Sequence, residues 1–267
     1  MKSQSRLIKM KKIILAIALL TTTIGVKAQV NIQELYDFNR DHLTTTLEMF
    51  KADKWGSTFF FTDIYHPWDK VAPTDFYTEI SRNLNFWKDS KLGALSLHVE
   101  WNGGLGENYL VNNAWLFGAD YLLHNGDFSN TLSLKLMYKR ITGQTDNCPI
   151  QFTCAWGMRD LFNVKGLEFS GFLDIWGEVT EWNIEDDSPS GYHNETTSWV
   201  ILSEPQLWYN IGQHFGCEHL SIGGEVELAY NFSGGYKAPA FLGPTATFSN
   251  QNKGFTAAPC IGLKWIF

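Results

Sequence analysis

Glu168, Phe172, Asp174, Trp176 and Glu178 fall at even spacing along one short stretch. Successive side chains of an extended strand alternate faces, so all five would share one. Carboxylates and aromatic rings on one wall make a surface that binds weakly and repeatedly. Carboxylates accept hydrogen bonds from hydroxyls and exocyclic amines. Ring faces stack flat solutes, at about 1–3 kcal/mol per base in nucleic-acid systems. Such chemistry suits passage rather than bond-making, provided the strand lines an enclosed lumen. The alternative is that these charges pair among themselves and stiffen the wall.

The elements that would position such a wall are strands. No helical period persists along the chain, and runs of strand-forming residues are punctuated by turn chemistry. Strands are expected at 43–50, 55–65, 74–86, 92–101, 114–123, 130–141, 150–160, 167–182, 198–210, 220–232 and 255–267. Several alternate cleanly. Leu95, Leu97, Val99 and Trp101 oppose Ser96, His98, Glu100 and Asn102; Leu132, Leu134, Leu136 and Tyr138 oppose Ser133, Lys135 and Lys139. The last strand sets Phe267, Trp265, Leu263 and Ile261 against Lys264, Gly262 and Cys260. A mid-strand Arg or Lys facing hydrocarbon costs about 2–4 kcal/mol. The polar faces are therefore assigned to a lumen and the apolar faces to lipid. This places Glu48, Glu79, Glu100, Asp174, Trp176, Glu178, Arg159 and Lys264 inside.

Short connections at 51–54, 87–91, 124–129, 161–166 and 211–219 alternate with mostly longer ones at 66–73, 102–113, 142–149, 183–197 and 233–254. That sorting is the mark of a transmembrane barrel, with its long loops outside the cell. A chain ending on a downward strand needs one more upward strand at the start, and 33–40 supplies it. The expected fold is all-β: a 12-stranded antiparallel transmembrane β-barrel, an even count as bacterial barrels require.

The first residues fit the same compartment. Lys9, Lys11 and Lys12 precede an apolar run at 13–20, and Val26-Lys27-Ala28 is a small-x-small cleavage site. Residues 1–28 are read as a signal peptide and 29–267 as the barrel. No other stretch approaches the ~18 apolar residues of a membrane helix, and mean hydropathy is −0.18. Aromatics make up 15% of the chain, with 11 Trp, as the interfacial girdles of a barrel demand. A secreted soluble sandwich with an aromatic core is the competing fold. The net charge of −7 argues against nucleic acid, whose phosphates need clustered Lys and Arg. Cys148, Cys154, Cys217 and Cys260 match no zinc spacing, and sequence leaves their pairing open.

Catalysis finds little support. His98 shares a face with Ser96 and Glu100, but no Gly-x-Ser-x-Gly elbow presents a nucleophile. No enzyme activity, metal or cofactor is expected.

The run Thr45-Thr46-Leu47-Glu48-Met49-Phe50, then Asp53-Lys54-Trp55 and Phe59-Phe60-Phe61-Thr62-Asp63, resembles the first hairpin of the Tsx-like nucleoside-specific channel-forming outer-membrane proteins. Phe76-Tyr77-Thr78-Glu79-Ile80-Ser81-Arg82 looks like their third strand. Asp160-Leu161-Phe162, with Gly166, Phe172 and Asp174 to Trp176, is similar to a later hairpin. The likeness covers about half the chain with loose motifs, and is closer to the uncharacterised barrel family DUF5020. It implies a monomeric barrel in the outer membrane that passes nucleosides by diffusion, with Glu48, Asp63 and Glu79 in or near the channel. The expected function is passive passage of small polar solutes, nucleosides being the class the resemblance implies. The expected partners are that solute and outer-membrane lipid. A closed structural or adhesive barrel is the alternative, and a barrel enzyme a more remote one.

Overall fold

The structure is a computed structural model that describes residues 28–68, 70, 72–106, 110–144, 148–185, 189–232, 236–237, 248–249 and 253–267. The leader expected at 1–28 lies outside the described residues except for Ala28.

The strands run β1 (Gln29–Asp37), β2 (His42–Asp53), β3 (Gly56–Pro67), β4 (Asp75–Leu84), β5 (Leu95–Leu105), β6 (Leu110–His124), β7 (Asn130–Ile141), β8 (Ile150–Arg159) and β9 (Leu167–Glu185). They continue as β10 (Tyr192–Ser203), β11 (Gln206–Tyr209), β12 (Leu220–Tyr230), β13 (Tyr236–Lys237), β14 (Phe248–Ser249) and β15 (Phe255–Ile266). Each strand from β1 to β9 pairs antiparallel with the next, β12 pairs β15, and β15 pairs β1. β10 and β11 lie end to end between β9 and β12 with continuous register, and so form one stave broken at Glu204-Pro205. The sheet thus closes on itself as a 12-stave antiparallel barrel, with no open edge.

The two faces are sorted in reverse of a water-soluble protein. Leu136, Leu97 and Phe117 are 62%, 53% and 50% exposed, whereas Gln33, Asp120 and Lys264 are 1%, 3% and 4% exposed. Buried Lys and Asp beside exposed Leu make sense only where the outer solvent is lipid. Trp115, Tyr138, Trp199 and Tyr230 stand outward near one rim, and Trp265 and Phe267 near the other. We call the end holding Gln29 and Phe267 the lower rim, and the end holding the 38–41 turn the upper rim.

Local chemistry sets the ends. β1 stops at Asp37, short of the expected 40, because Asp37 Oδ1 accepts both Asn39 N and Arg40 N at 2.8 Å and folds a tight turn. At the lower rim, Asp127 Oδ1 accepts Ser129 N and Asn125 Oδ1 accepts Asn130 N, each at 3.0 Å. The stave break at Pro205 faces Gly171, whose φ of +146° only glycine adopts readily; a Cβ there would lie 2.4 Å from Glu204 O.

The expected contrast of short turns and long loops is partly a contrast in strand length. Stretches assigned to loops at 102–113 and 183–197 continue instead as ladder, β5 and β6 reaching Leu105 and Leu110, β9 and β10 reaching Glu185 and Tyr192. The upper rim is therefore raised on one side. Of the connection after β12, Tyr236–Lys237 crosses to pair with β6, nearly opposite β12 in the ring, and Phe248–Ser249 pairs parallel with β9.

Candidate functional site

The lumen holds a cavity of about 300 Å³, the size of a small ligand pocket. Strands from all around the barrel line it. Glu48 comes from β2, Asp63 from β3, Glu79 from β4, Glu100 from β5, Asp174 from β9 and Lys264 from β15. Six of the nine residues expected inside therefore meet at one cavity. Phe59, Phe61 and Phe172 add ring faces to it.

Each of Glu48, Asp63, Glu79, Glu100 and Asp174 is held by a neighbour on its own strand or the adjacent one. Glu48 Oε1 accepts Asn31 Nδ2 at 2.8 Å, Asp63 Oδ1 accepts Thr46 Oγ1 at 2.5 Å, and Glu79 Oε1 accepts Tyr77 OH at 2.6 Å. Glu100 Oε2 lies 3.1 Å from His98 Nε2, and Thr153 Oγ1 donates to Asp174. Lys264 Nζ donates to Glu168 at 2.8 Å and sits 4.8 Å over the Trp208 ring. Each carboxylate keeps acceptor capacity beyond these single bonds. The wall can receive hydroxyl and amine donors along its length.

Trp176 and Glu178 are inside the barrel but above the cavity. Trp176 Nε1 donates to Glu178 Oε2 at 2.7 Å, and Gln144 Nε2 donates to Glu178 Oε1 at 2.7 Å. Lys139 Nζ stands 3.9 Å over the Trp176 ring and donates to Gln151 Oε1 at 2.8 Å. Trp176 also belongs to an apolar cluster with Leu116, Met137, Ile141 and Val200, against which Leu202 and Phe232 pack. Phe232 meets the Trp176 ring edge-on at 5.8 Å and 82°. A hydrophobic plug therefore fills the lumen on the β6–β10 side, and the crossing connection begins directly on it. On the opposite side the upper mouth is polar: Arg40 reaches Glu227 at 2.6 Å and Asp37 at 3.0 Å.

Arg159 has lumen parity but stands at the lower rim. It is exposed, and its Nη2 donates to Phe128 O at 3.1 Å. It does not line the cavity.

Three features escape the sequence pattern. Phe59 and Phe61 line the cavity; a run of three Phe residues has no polarity contrast of its own, but both share the parity of Asp63, and their register against Glu48 and Glu79 agrees. Gln33 lines the cavity from β1, with its Oε1 buried and lacking a partner. Glu34 breaks the rule that charges point inward. It lies on the outer face, exposed, where Thr45 Oγ1 donates to it at 2.7 Å and His66 Nε2 lies 2.9 Å from that hydroxyl. A carboxylate is less costly there than Arg or Lys, and the hydroxyl satisfies part of it.

Fold and site together define a membrane-type β-barrel with a polar, aromatic cavity beneath a partial plug. The chain belongs to the family DUF5020, described as a domain of unknown function, whose model matches residues 30–267. Comparison with curated proteins finds no match. Among solved structures, the chain is similar to the NanC porin at 8% identity, covering 88% of this chain and 98% of that one, with a TM-score of 0.46. A second likeness, to kievitone hydratase from Nectria haematococca, has 12% identity, covers 90% and 89% of the two chains, and has a TM-score of 0.16. At these levels neither likeness bears on function.

Proposed function

We propose that this barrel is an outer-membrane channel for passive diffusion of small polar solutes, with nucleosides as the solute class to test first. The observation that carries the reading is the cavity of about 300 Å³ inside a closed barrel with an apolar exterior. A purely structural barrel has no need of an interior space lined by acceptors and rings. In this reading the upper rim faces the medium, the lower rim faces the periplasm, and the protein works as a monomer. Residues 1–28 act as a signal peptide.

Nucleosides fit the lining by chemistry. The base is flat and can lie against Phe59, Phe61 or Phe172. The sugar hydroxyls and exocyclic amines can donate to Glu79, Asp174 and Glu48. Contacts must be weak enough for release as well as entry, and carboxylates already engaged by a neighbouring donor meet that demand. Asp63, Glu100 and Lys264 share the path. Trp176 and Glu178 act from the plug, setting how wide the passage is.

Liposome swelling with nucleosides, sugars and amino acids of similar size tests both levels. Faster swelling with nucleosides supports the reading. Rates that follow size alone would remove the nucleoside preference, and no swelling with any solute would remove the channel.

A further inference from the structure

The cavity wall is strongly unbalanced in charge. Eight of its lining residues are Asp or Glu, and two, Lys135 and Lys264, are cationic. The wall stays negative even with half of the acids protonated. Lys264 and Glu168 pair with each other at 2.8 Å, which leaves seven acids facing Lys135. The acids do not cluster on one strand. Glu204 and Glu225 line the cavity from the β10–β12 side, and Asp63 and Glu79 line it from β3 and β4. A solute in the cavity is therefore faced by carboxylates on more than one wall. Glu225 has a side-chain donor, Gln206 Nε2 at 2.8 Å.

A second observation points the same way. Gln33 is 1% exposed and lines the same cavity. Its Nε2 donates to Asn31 Oδ1 at 3.0 Å, while its Oε1 is buried with no partner. A buried acceptor without a donor is costly. It calls for an N–H or O–H group from whatever occupies the cavity. The rings of Phe59, Phe61 and Phe172 add faces whose quadrupole attracts cations.

The arrangement favours an organic cation over a bare metal ion. Among the described residues, no three His, Cys, Asp or Glu side chains are close enough to hold one metal. The acids attract without chelating, which lets a cation move on.

We propose that the lumen is a cation-selective path, one that passes small amine-bearing organic solutes and excludes anions of equal size. This rests on the channel reading above. Charged walls with low-dielectric backing concentrate counter-ions, on the order of tenfold or more.

The test is the reversal potential of the reconstituted full-length mature barrel in planar bilayers under a KCl gradient, repeated with tetraethylammonium in place of potassium and gluconate in place of chloride. The expected result is a cation-over-anion permeability ratio of about tenfold. Tetraethylammonium should carry current, and gluconate in place of chloride should shift the potential only by the minor share that chloride carries. In the double variant Glu204→Gln/Glu225→Gln the ratio should fall toward one, with the folded barrel confirmed by its heat-modifiable gel mobility. Conduction that is unselective or favours anions overturns this inference while leaving the channel intact. Cation selectivity that survives the double variant overturns the assignment to these carboxylates. Absence of any conduction overturns the channel reading and this inference with it.

Discussion

Lys139 Nζ lies 3.9 Å above the ring of Trp176, and the same ring donates its N–H to Glu178 at 2.7 Å. A cation and an anion are thus held by one indole, deep in a barrel whose outside is lipid. The indole also carries the apolar plug, since Phe232 packs on its edge. Removing it unbalances charge and packing together. Trp176→Ala should cost about 3–5 kcal/mol of stability and should also raise single-channel conductance, because the plug loses its centre. Urea unfolding and bilayer recordings on one preparation check both. A stability loss with unchanged conductance would show that the plug does not narrow the path.

Phe232→Ala removes the ring from the other side of the same contact. Phe232 is only partly buried and lies in the crossing connection rather than in a strand. The expected result is higher conductance with little loss of barrel stability. Equal losses in both variants would mean that the plug holds the barrel together instead of gating it.

Much of this architecture was legible in the sequence, because alternation is a period of two and a membrane barrel exposes it twice, once to lipid and once to the lumen. Leu134 against Lys135, or Leu263 against Lys264, settles a face without any structure. The strand at 130–141 was expected with the bounds it has. What alternation cannot show is height. Arg159, Asp174 and Glu178 all have lumen parity, yet they lie at the lower rim, at the cavity and in the plug. Height depends on strand tilt and register around the whole ring. The plug was equally hidden, since it gathers residues from β6, β7, β9 and β10 with the connection after β12. The upper limits of β9 and β10 were missed because polar ladder above the membrane has no lipid face to produce alternation.

Glu34 offers a test of how the outer wall tolerates charge. It stands on the lipid-facing side of β1, held by the hydroxyl of Thr45. Glu34→Leu should leave conduction unchanged and should stabilise the barrel by on the order of 1 kcal/mol in lipid vesicles, read by urea titration. A loss of stability would instead show that its bond from Thr45 outweighs the cost of a charge on the outer face.

Asp127 gives a pH dependence at the lower rim, in the turn between β6 and β7. Its carboxylate accepts the backbone N–H of Ser129 at 3.0 Å, which holds it below the usual carboxylate range. A depressed acid contributes stability above its unfolded pKa, about 3.9, and loses it as pH falls through the folded value. Asp127→Ala should therefore be less stable than wild type at neutral pH, with the gap closing below about pH 4. A gap that is constant down to pH 2 would assign the effect to turn geometry alone.

The four cysteines should remain thiols. Cys148 lies by the upper end of β8 and Cys217 in the connection below β12, at opposite rims. Cys154 faces outward on β8 and Cys260 inward on β15. A disulfide needs Cα atoms within about 7 Å, and all four cysteines stand unpaired in the structure. Maleimide labelling of the denatured chain without reductant should modify all of them. Labelling that rises only after reduction would reveal a disulfide.

The most direct test of the account is whether the folded, reconstituted barrel conducts at all. Discrete current steps in a planar bilayer, with matching solute entry into liposomes, are the predicted result. A barrel that is folded by its heat-modifiable mobility, yet carries no current at any voltage and admits no solute, would contradict the account at its centre.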